Sequence, residues 1–266
     1  MSKILVIADD LTGAAEIRGI AFKAGFSVRI VLDNWTHKHF LEDVIIIETN
    51  TRQLTENLAY EKIISILKQI DLSAYDLIFK KVDSLLRGNI TSEIQAIFTQ
   101  SCMKSALLIP ANPTKKRIIK NGKYYINNIP INETNFKFDP EYPRRWKTVK
   151  KLISRGNNIN ISESPLLEKH LGPITIPDIT TLKDIEVYAQ QNYVENQLVA
   201  GSADFFRTLL AIRFDRSFDS IPATIEFLGN ILFLIGSNSK VSKQTQLLLS
   251  KKNYEIFNLL FPPSAL

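Results

Sequence analysis

Asp76-Leu-Ile-Phe-Lys-Lys-Val-Asp-Ser-Leu-Leu-Arg-Gly-Asn89 decides how the rest of the chain reads. A short apolar run, Leu77 to Phe79, feeds straight into Lys80, Lys81, Asp83, Ser84, Arg87, Gly88 and Asn89. The next segment carries apolar residues at Ile90, Ile94, Ile97 and Phe98, the spacing of a helix with one buried face. The charged cluster therefore stands at a strand-to-helix junction, and in open α/β sheets ligands bind at that edge, outside the carboxyl ends of the strands. Guanidinium and ammonium groups suit a carboxylate or phosphate, and carboxylate and hydroxyl groups suit sugar hydroxyls, so these residues point to an anionic, hydroxylated small molecule. The competing reading is a solvated loop whose charges pair among themselves.

The same grammar repeats on both sides. Lys3 to Ala8 is an apolar run ending in Asp9-Asp10-Leu-Thr-Gly13, after which Ala14, Ala15, Ile17, Ala21 and Phe22 follow a helical pattern. Adjacent aspartates near Thr12 suit sugar hydroxyls or a metal, while the plainer alternative is that Asp10 or Thr12 only caps the helix. Ser27 to Asp33 and Val44 to Glu48 read as strands, with Arg52 in the loop Thr49 to Thr55, and Leu58 to Ile70 reads as a helix. Ala106 to Ile109 is a fifth strand, ending in Pro110-Ala-Asn-Pro113. Strands alternating with helices at this spacing predict an α/β fold with a doubly wound, mostly parallel sheet and right-handed crossovers. Gly122 to Ile131 predicts a β-hairpin insertion turning at Asn127-Asn128, since Asn tolerates the left-handed conformation of tight turns, and the insertion is expected to fold over the strand ends as a lid. Beyond it, Trp146 to Ile153, Ile185 to Gln191 and Asp204 to Ile212 predict helices, and Gly172 to Pro177 and Gln197 to Gly201 predict strands.

With 266 residues and 45% of them hydrophobic, the chain supports one large domain or two modest ones. The net charge of +6 is spread rather than blocked: Lys115-Lys116-Arg117 and Lys147 to Lys151 are short and lack interleaved aromatics, which argues for solvated surface and against nucleic acid. The single Cys102 excludes an intrachain disulfide, fits a reducing compartment and reads as a core residue. His37, His39 and His170 form no zinc spacing, so no metal held by the protein's own ligands is expected. The apolar run at the start is too short for a signal peptide, and no stretch approaches the ~18 apolar residues of a membrane span, so cytoplasm is the expected location and a membrane is not an expected partner.

Arg213 to Ile225 has little periodicity and is the expected linker, dividing residues 1–225 from residues 226–266. Ile231 to Ile235 then predicts a strand ending in Gly236-Ser-Asn-Ser239, with a helix from Val241 to about Leu249. A strand, a Gly-Ser turn and a helix resemble a phosphate cradle, although with Gly236 as its only glycine the segment is neither a Walker loop nor a dinucleotide fingerprint. Too little chain follows to build a domain around this strand. The expectation is a second α/β domain begun and not finished, whose uncovered apolar strand packs back on the N-terminal domain or pairs with a second copy of the chain.

Taken together, Ala8-Asp-Asp-Leu-Thr-Gly-Ala14, Thr51-Arg52, Lys80-Lys-Val-Asp-Ser-Leu-Leu-Arg-Gly-Asn89, Pro110-Ala-Asn-Pro113, Asn132-Glu-Thr134, Asp139-Pro140 and Gly201-Ser202 resemble the four-carbon acid sugar kinase family. Its members phosphorylate D-threonate, D-erythronate or 3-oxo-tetronate at the 4-hydroxyl with ATP, and the likeness runs from Lys3 to about residue 255. The resemblance implies an N-terminal domain that binds the acid sugar, with Asp10, Arg52, Lys81, Val82, Asp83, Ser84, Arg87 and Asn89 around it. It also implies a nucleotide site that begins at Gly236, Ser237 and Ser239, with Mg²⁺ arriving on ATP. Two departures stand out: Leu85 replaces the family's usual Thr, and the later Gly-Gly-x-Thr segment of the nucleotide domain is not in this sequence.

Phosphoryl transfer is chiefly positioning and charge neutralisation. Arg52, Lys81 and Arg87 are the candidates for the sugar-acid carboxylate, and Asp9, Asp10 or Asp83 for accepting or orienting the 4-hydroxyl proton. The expected function is therefore an ATP-dependent acid sugar kinase whose substrate-binding half this chain carries. The alternative is a sugar-acid-binding module, or truncated product, without ATP chemistry.

Overall fold

Ile4–Ala8 forms β1, and Val44–Glu48 (β3) and Leu77–Lys81 (β4) flank it, each with every residue buried. Unbroken buried runs of this kind arise where helices cover both faces of a parallel strand. The computed structural model describes residues 3–32, 40–154, 161–164, 173–191, 196–218 and 240–251. Besides the three central strands it contains α1 (Leu11–Lys23), β2 (Val28–Val31), α2 (Glu56–Leu67), α3 (Ile90–Gln100) and β5 (Ser105–Ile109). The small strands β6 (Arg117–Lys120), β7 (Lys123–Ile126) and β8 (Ile129–Pro130) follow, then α4 (Val149–Ile153), β9 (Ile161–Ser164), β10 (Ile174–Pro177), α5 (Leu182–Gln190), β11 (Gln197–Gly201) and α6 (Ala203–Arg213).

Eight strands pair in the order β2-β3-β1-β4-β11-β5-β10-β9, every pair parallel, which is the expected doubly wound α/β sheet. Lys80 and Lys81, adjacent on β4, point to opposite faces, Lys80 to Glu93 of α3 and Lys81 to Glu16 of α1. Helix α2 packs with α3, and α6 with both α1 and α5. The sheet order reverses at β1, with β3 and β2 on one side and β4 on the other, so the crevice at the carboxyl ends of β1, β3 and β4 is the switch point where such sheets bind ligands.

The insertion after β5 is a three-stranded antiparallel sheet, β6-β7-β8. Both its turns place two residues at positive φ, Asn121 and Gly122 (51° and 65°) and Asn127 and Asn128 (51° and 65°), the geometry that matches the twist of a two-residue hairpin. The turn at Asn127-Asn128 is the expected one, whereas β6 was not expected. Helix α4 is shorter than the expected Trp146 to Ile153, because Lys147 accepts a 2.8 Å bond from Tyr124 N and Thr148 bridges Lys123, which holds that stretch extended. Cys102 corrects another expectation: it is exposed, with Sγ donating to Asn196 Oδ1 at 2.9 Å, since it lies in the connection to β5 rather than under the sheet.

The chain divides into two compact units, Met1–Ile221 and Pro222–Leu266. In the second, helix α7 (Lys240–Lys251) is the element described. Gly236, Ser237 and Ser239, the strand expected at Ile231 to Ile235, and His37, His39 and His170 lie outside the described residues. Among the described residues no helix is long and apolar enough to cross a membrane.

Candidate active site

Three loops at the switch point build the site. After β1 the backbone stays extended at Asp10 (φ −147°), which caps α1 by accepting Gly13 N on Oδ1 at 2.8 Å. The loop after β3 turns through Asn50 at φ 46° and delivers Arg52, whose guanidinium grips Asp9 at two points, Nε to Oδ2 at 2.8 Å and Nη2 to Oδ1 at 3.1 Å. Its Nη1 reaches Asp10 Oδ2 at 2.5 Å. Burial alone would lower the Arg52 pKa, but its bond to Asp9, together with the charges of Asp9, Asp83 and Asp10, drives it up, so the cation is permanent.

The third loop, residues 82–89, folds around Asp83. That carboxylate accepts Arg87 Nε at 2.7 Å and Nη2 at 3.2 Å, and also the backbone N–H groups of Leu85 and Arg87. Burial pushes the Asp83 carboxyl up, yet the bond and charge of Arg87 and the charge of Arg52 outweigh it and hold it below the usual aspartate range. The loop needs left-handed backbone at Leu86 (φ 61°) and Gly88 (φ 88°). A Cβ at Gly88 would stand 2.9 Å from Asp9 Oδ2, so only glycine lets the third loop close against the first. Lys81 Nζ lies 3.3 Å from Glu16 Oε2 and donates to Val82 O at 3.0 Å.

The insertion clasps these loops from outside. Tyr124, fully buried on β7, donates its hydroxyl to Ser84 O, and Arg117 Nη1 donates to Ser84 Oγ. Tyr142 donates to Arg52 O, and Arg144 Nη1 to Leu86 O at 3.0 Å. Beneath the loops runs a buried chain: Lys80 Nζ sits 2.6 Å from Glu93 Oε2, and Thr51 Oγ1 donates to Glu93 Oε1 at 2.6 Å. Complete burial pushes the Glu93 carboxyl up against the pull of Lys80.

The structure brings Asp9, Asp10, Arg52, Lys81, Asp83, Ser84 and Arg87 to one edge of the sheet. Val82 contributes its backbone, donating to Gly201 O at 3.0 Å. Asn89 braces rather than faces the site: its Nδ2 donates to Thr51 O at 2.9 Å and Leu54 O at 2.8 Å. Lys80 is turned into the interior and does not line the site, because adjacent strand residues face opposite ways. Charges do pair among themselves, as the competing reading held, but Arg52 pairs across two loops and beneath partial burial rather than within one solvated loop. Glu93, Arg117 and Tyr124 escaped the sequence reading. Glu93 had a signal, a carboxylate on the same helical stripe as Ile90 and Ile97, which demands a buried partner. Among the described residues no group of three His, Cys, Asp or Glu side chains is placed to hold a metal ion.

A model of the family described as sugar-binding N-terminal domain matches residues 4–209. A D-threonate kinase of Salmonella typhimurium is 29% identical over 174 residues, covering 65% of this chain and 41% of that protein. A D-erythronate kinase of Heliobacterium modesticaldum is 27% identical, over 92% of this chain and 59% of its own length. The chain thus spans about half the length of the curated relatives it matches. Among solved structures, a Haemophilus influenzae protein of the DUF1537 family superposes with a TM-score of 0.69 at 20% identity, over 79% of this chain and 56% of that one. A DUF1537 domain from Bordetella bronchiseptica, a domain-swapped dimer with bound citrate, gives 0.64 at 20% identity, over 80% and 57%. Both show the same fold.

Proposed function

The chain belongs to the sugar-binding N-terminal domain family of the four-carbon acid sugar kinases, and on that premise we propose that it binds a four-carbon acid sugar and presents its 4-hydroxyl for phosphorylation by ATP. The observation that carries this is the convergence of Asp9, Asp10, Arg52, Lys81, Asp83 and Arg87 from the ends of β1, β3 and β4 at the switch point of the sheet. Arg52, Lys81 and Arg87 are held by carboxylates, and their remaining N–H groups are offered to the substrate. Ser84 completes that side of the pocket, Val82 holds Lys81 in place through its carbonyl, and Asn89 holds the Arg52 loop in register.

Of the three aspartates, Asp10 is the one we assign to the 4-hydroxyl. Its side chain is 21% exposed against 3% for Asp9 and 11% for Asp83, both of which are clamped bidentately by arginine. ATP with Mg²⁺ supplies the phosphoryl group, and we propose Gly236, Ser237 and Ser239 for its phosphates. A carboxylate accepting the hydroxyl proton, with fixed cations around the oxygens, is what in-line transfer needs from this half of the reaction.

The test is calorimetric titration of the chain with D-threonate, D-erythronate and, separately, Mg-ATP. Binding of an acid sugar is expected. Heat from neither acid sugar overturns the proposal; heat from an acid sugar alone places this chain in the substrate-binding half of the reaction, and heat from ATP as well makes turnover measurable.

A further inference from the structure

Every cation that the sequence offered to the substrate carboxylate already has a carboxylate partner: Arg52 has Asp9 and Asp10, Arg87 has Asp83, and Lys81 has Glu16, which Lys115 shares. Arg117 is different. It opens β6 of the insertion, half-buried, and among the described residues no carboxylate lies within ion-pairing distance of it. Its Nη1 donates instead to Ser84 Oγ, in the loop between Asp83 and Arg87. Ser84 is itself buried, and because its oxygen accepts from Arg117, its own hydroxyl proton is left to donate onward.

The position is built rather than incidental. Arg117 exchanges two backbone hydrogen bonds with Asn112, N to O at 3.1 Å and Asn112 N to Arg117 O at 2.8 Å, which fixes β6 to the loop after β5. The turn between them closes through Lys116 at φ 54°. Tyr124, which pairs with Ile119 two residues along from Arg117, locks Ser84 from the carbonyl side. Burial pushes the Tyr124 hydroxyl pKa up, and the positive charge of Arg117 opposes that rise.

We propose that Arg117 is the residue that selects an acid over a neutral sugar, its uncompensated guanidinium and the Ser84 hydroxyl together taking the substrate carboxylate; this rests on the acid-sugar reading above. A planar guanidinium offers a carboxylate two parallel N–H donors, and a half-buried site with a free positive charge attracts an anion and gains nothing from a neutral polyol. The arginines paired with aspartate then hold the architecture and the hydroxyls, and the charge recognition falls to the insertion.

The experiment compares D-threonate with its uncharged amide, D-threonamide, by calorimetry on the whole chain and on Arg117→Gln and Arg117→Lys, with thermal midpoints recorded for each. The unaltered chain is expected to prefer the acid. In Arg117→Gln, affinity for threonate falls about ten- to a hundredfold, the worth of a hydrogen bond to a charged group, while affinity for threonamide stays within about threefold; Arg117→Lys falls between. In the unaltered chain, phenylglyoxal labelling read by mass spectrometry is expected to modify Arg117, and D-threonate to shield it, a readout independent of how the variants fold. Threonate binding that persists with its preference intact in Arg117→Gln, or labelling of Arg117 that threonate leaves unchanged, overturns this inference alone. Failure of the unaltered chain to bind threonate or D-erythronate overturns the acid-sugar reading and this inference with it.

Discussion

Lys80→Met removes one member of an ion pair whose partners are 0% and 1% exposed, 2.6 Å apart, and so leaves the Glu93 carboxylate sealed in the protein with only the Thr51 hydroxyl beside it. Breaking a buried pair in this way costs about 3–5 kcal/mol, because the surviving charge keeps its desolvation penalty and loses its counter-ion. For a chain of this size each kcal/mol moves the midpoint by about 2–4 °C, so the fall in Tm is roughly 6–20 °C. The pH dependence follows from Glu93. Burial raises its folded-state pKa above 4.5, so its contribution to stability is complete below that value and is lost as pH rises through the folded value. Without Lys80 the carboxyl rises further. The variant is therefore worst near neutrality and recovers relative to the unaltered protein as the solution is made acid. Lys80→Met with Glu93→Leu, an apolar pair of similar volume, is expected to regain much of the loss. Urea denaturation followed by circular dichroism across pH checks all three statements. A loss under about 1 kcal/mol at neutral pH, or one that does not change with pH, would mean that the pair is not shielded from water, and the reasoning would fall.

Gly88→Ala places a methyl group 2.9 Å from Asp9 Oδ2 on a residue at φ 88°; it is expected to cost about 1–3 kcal/mol and to weaken acid-sugar binding at least tenfold by prising Asp9 from Arg52, measured by denaturation and calorimetry. Asp83 has a depressed folded-state pKa, so its contribution is complete above its ordinary value of 3.8 and is lost as pH falls through the folded one. Urea midpoints should therefore show an acid-side decline that Asp83→Asn flattens; equal slopes in the two proteins would contradict the pairing with Arg87. Cys102 is expected to react completely with a thiol reagent in the native protein, and a reaction that waits for denaturant would restore it to the core.

The central sheet was legible because parallel strands covered on both faces become largely apolar runs: Val44–Glu48 and Gln197–Gly201 emerge with the bounds expected, and Ile4–Ala8 starts one residue after the expected Lys3. The hairpin was legible at Asn127-Asn128 because the turn chemistry is local. What escaped depends on partners distant in sequence. Lys81 and Lys80 look alike along the chain, and only the pleat, with Glu93 and Glu16 on opposite faces, separates a site residue from a buried one. Arg117 sat in a basic cluster read as solvated surface, since nothing local announces that β6 folds back onto Ser84. The aspartates and arginines were found as a set, but their pairing, Arg52 to Asp9 and Arg87 to Asp83, is set by how three loops meet.

The place of β11 has a kinetic consequence. Among the described strands of the sheet it is the last to be made, yet it lies between β4 and β5 at the centre. Roughly ninety residues separate the end of β5 from the start of β11, about 5–20 s of synthesis at ordinary translation rates. For that interval the nascent chain carries two open apolar strand edges, at Phe79 and at Leu107, each awaiting Val199. Closure of the gap by a single late segment makes folding slow and cooperative, and it makes the emerging chain a natural client for chaperones that shield strand edges until Gly201 has been added.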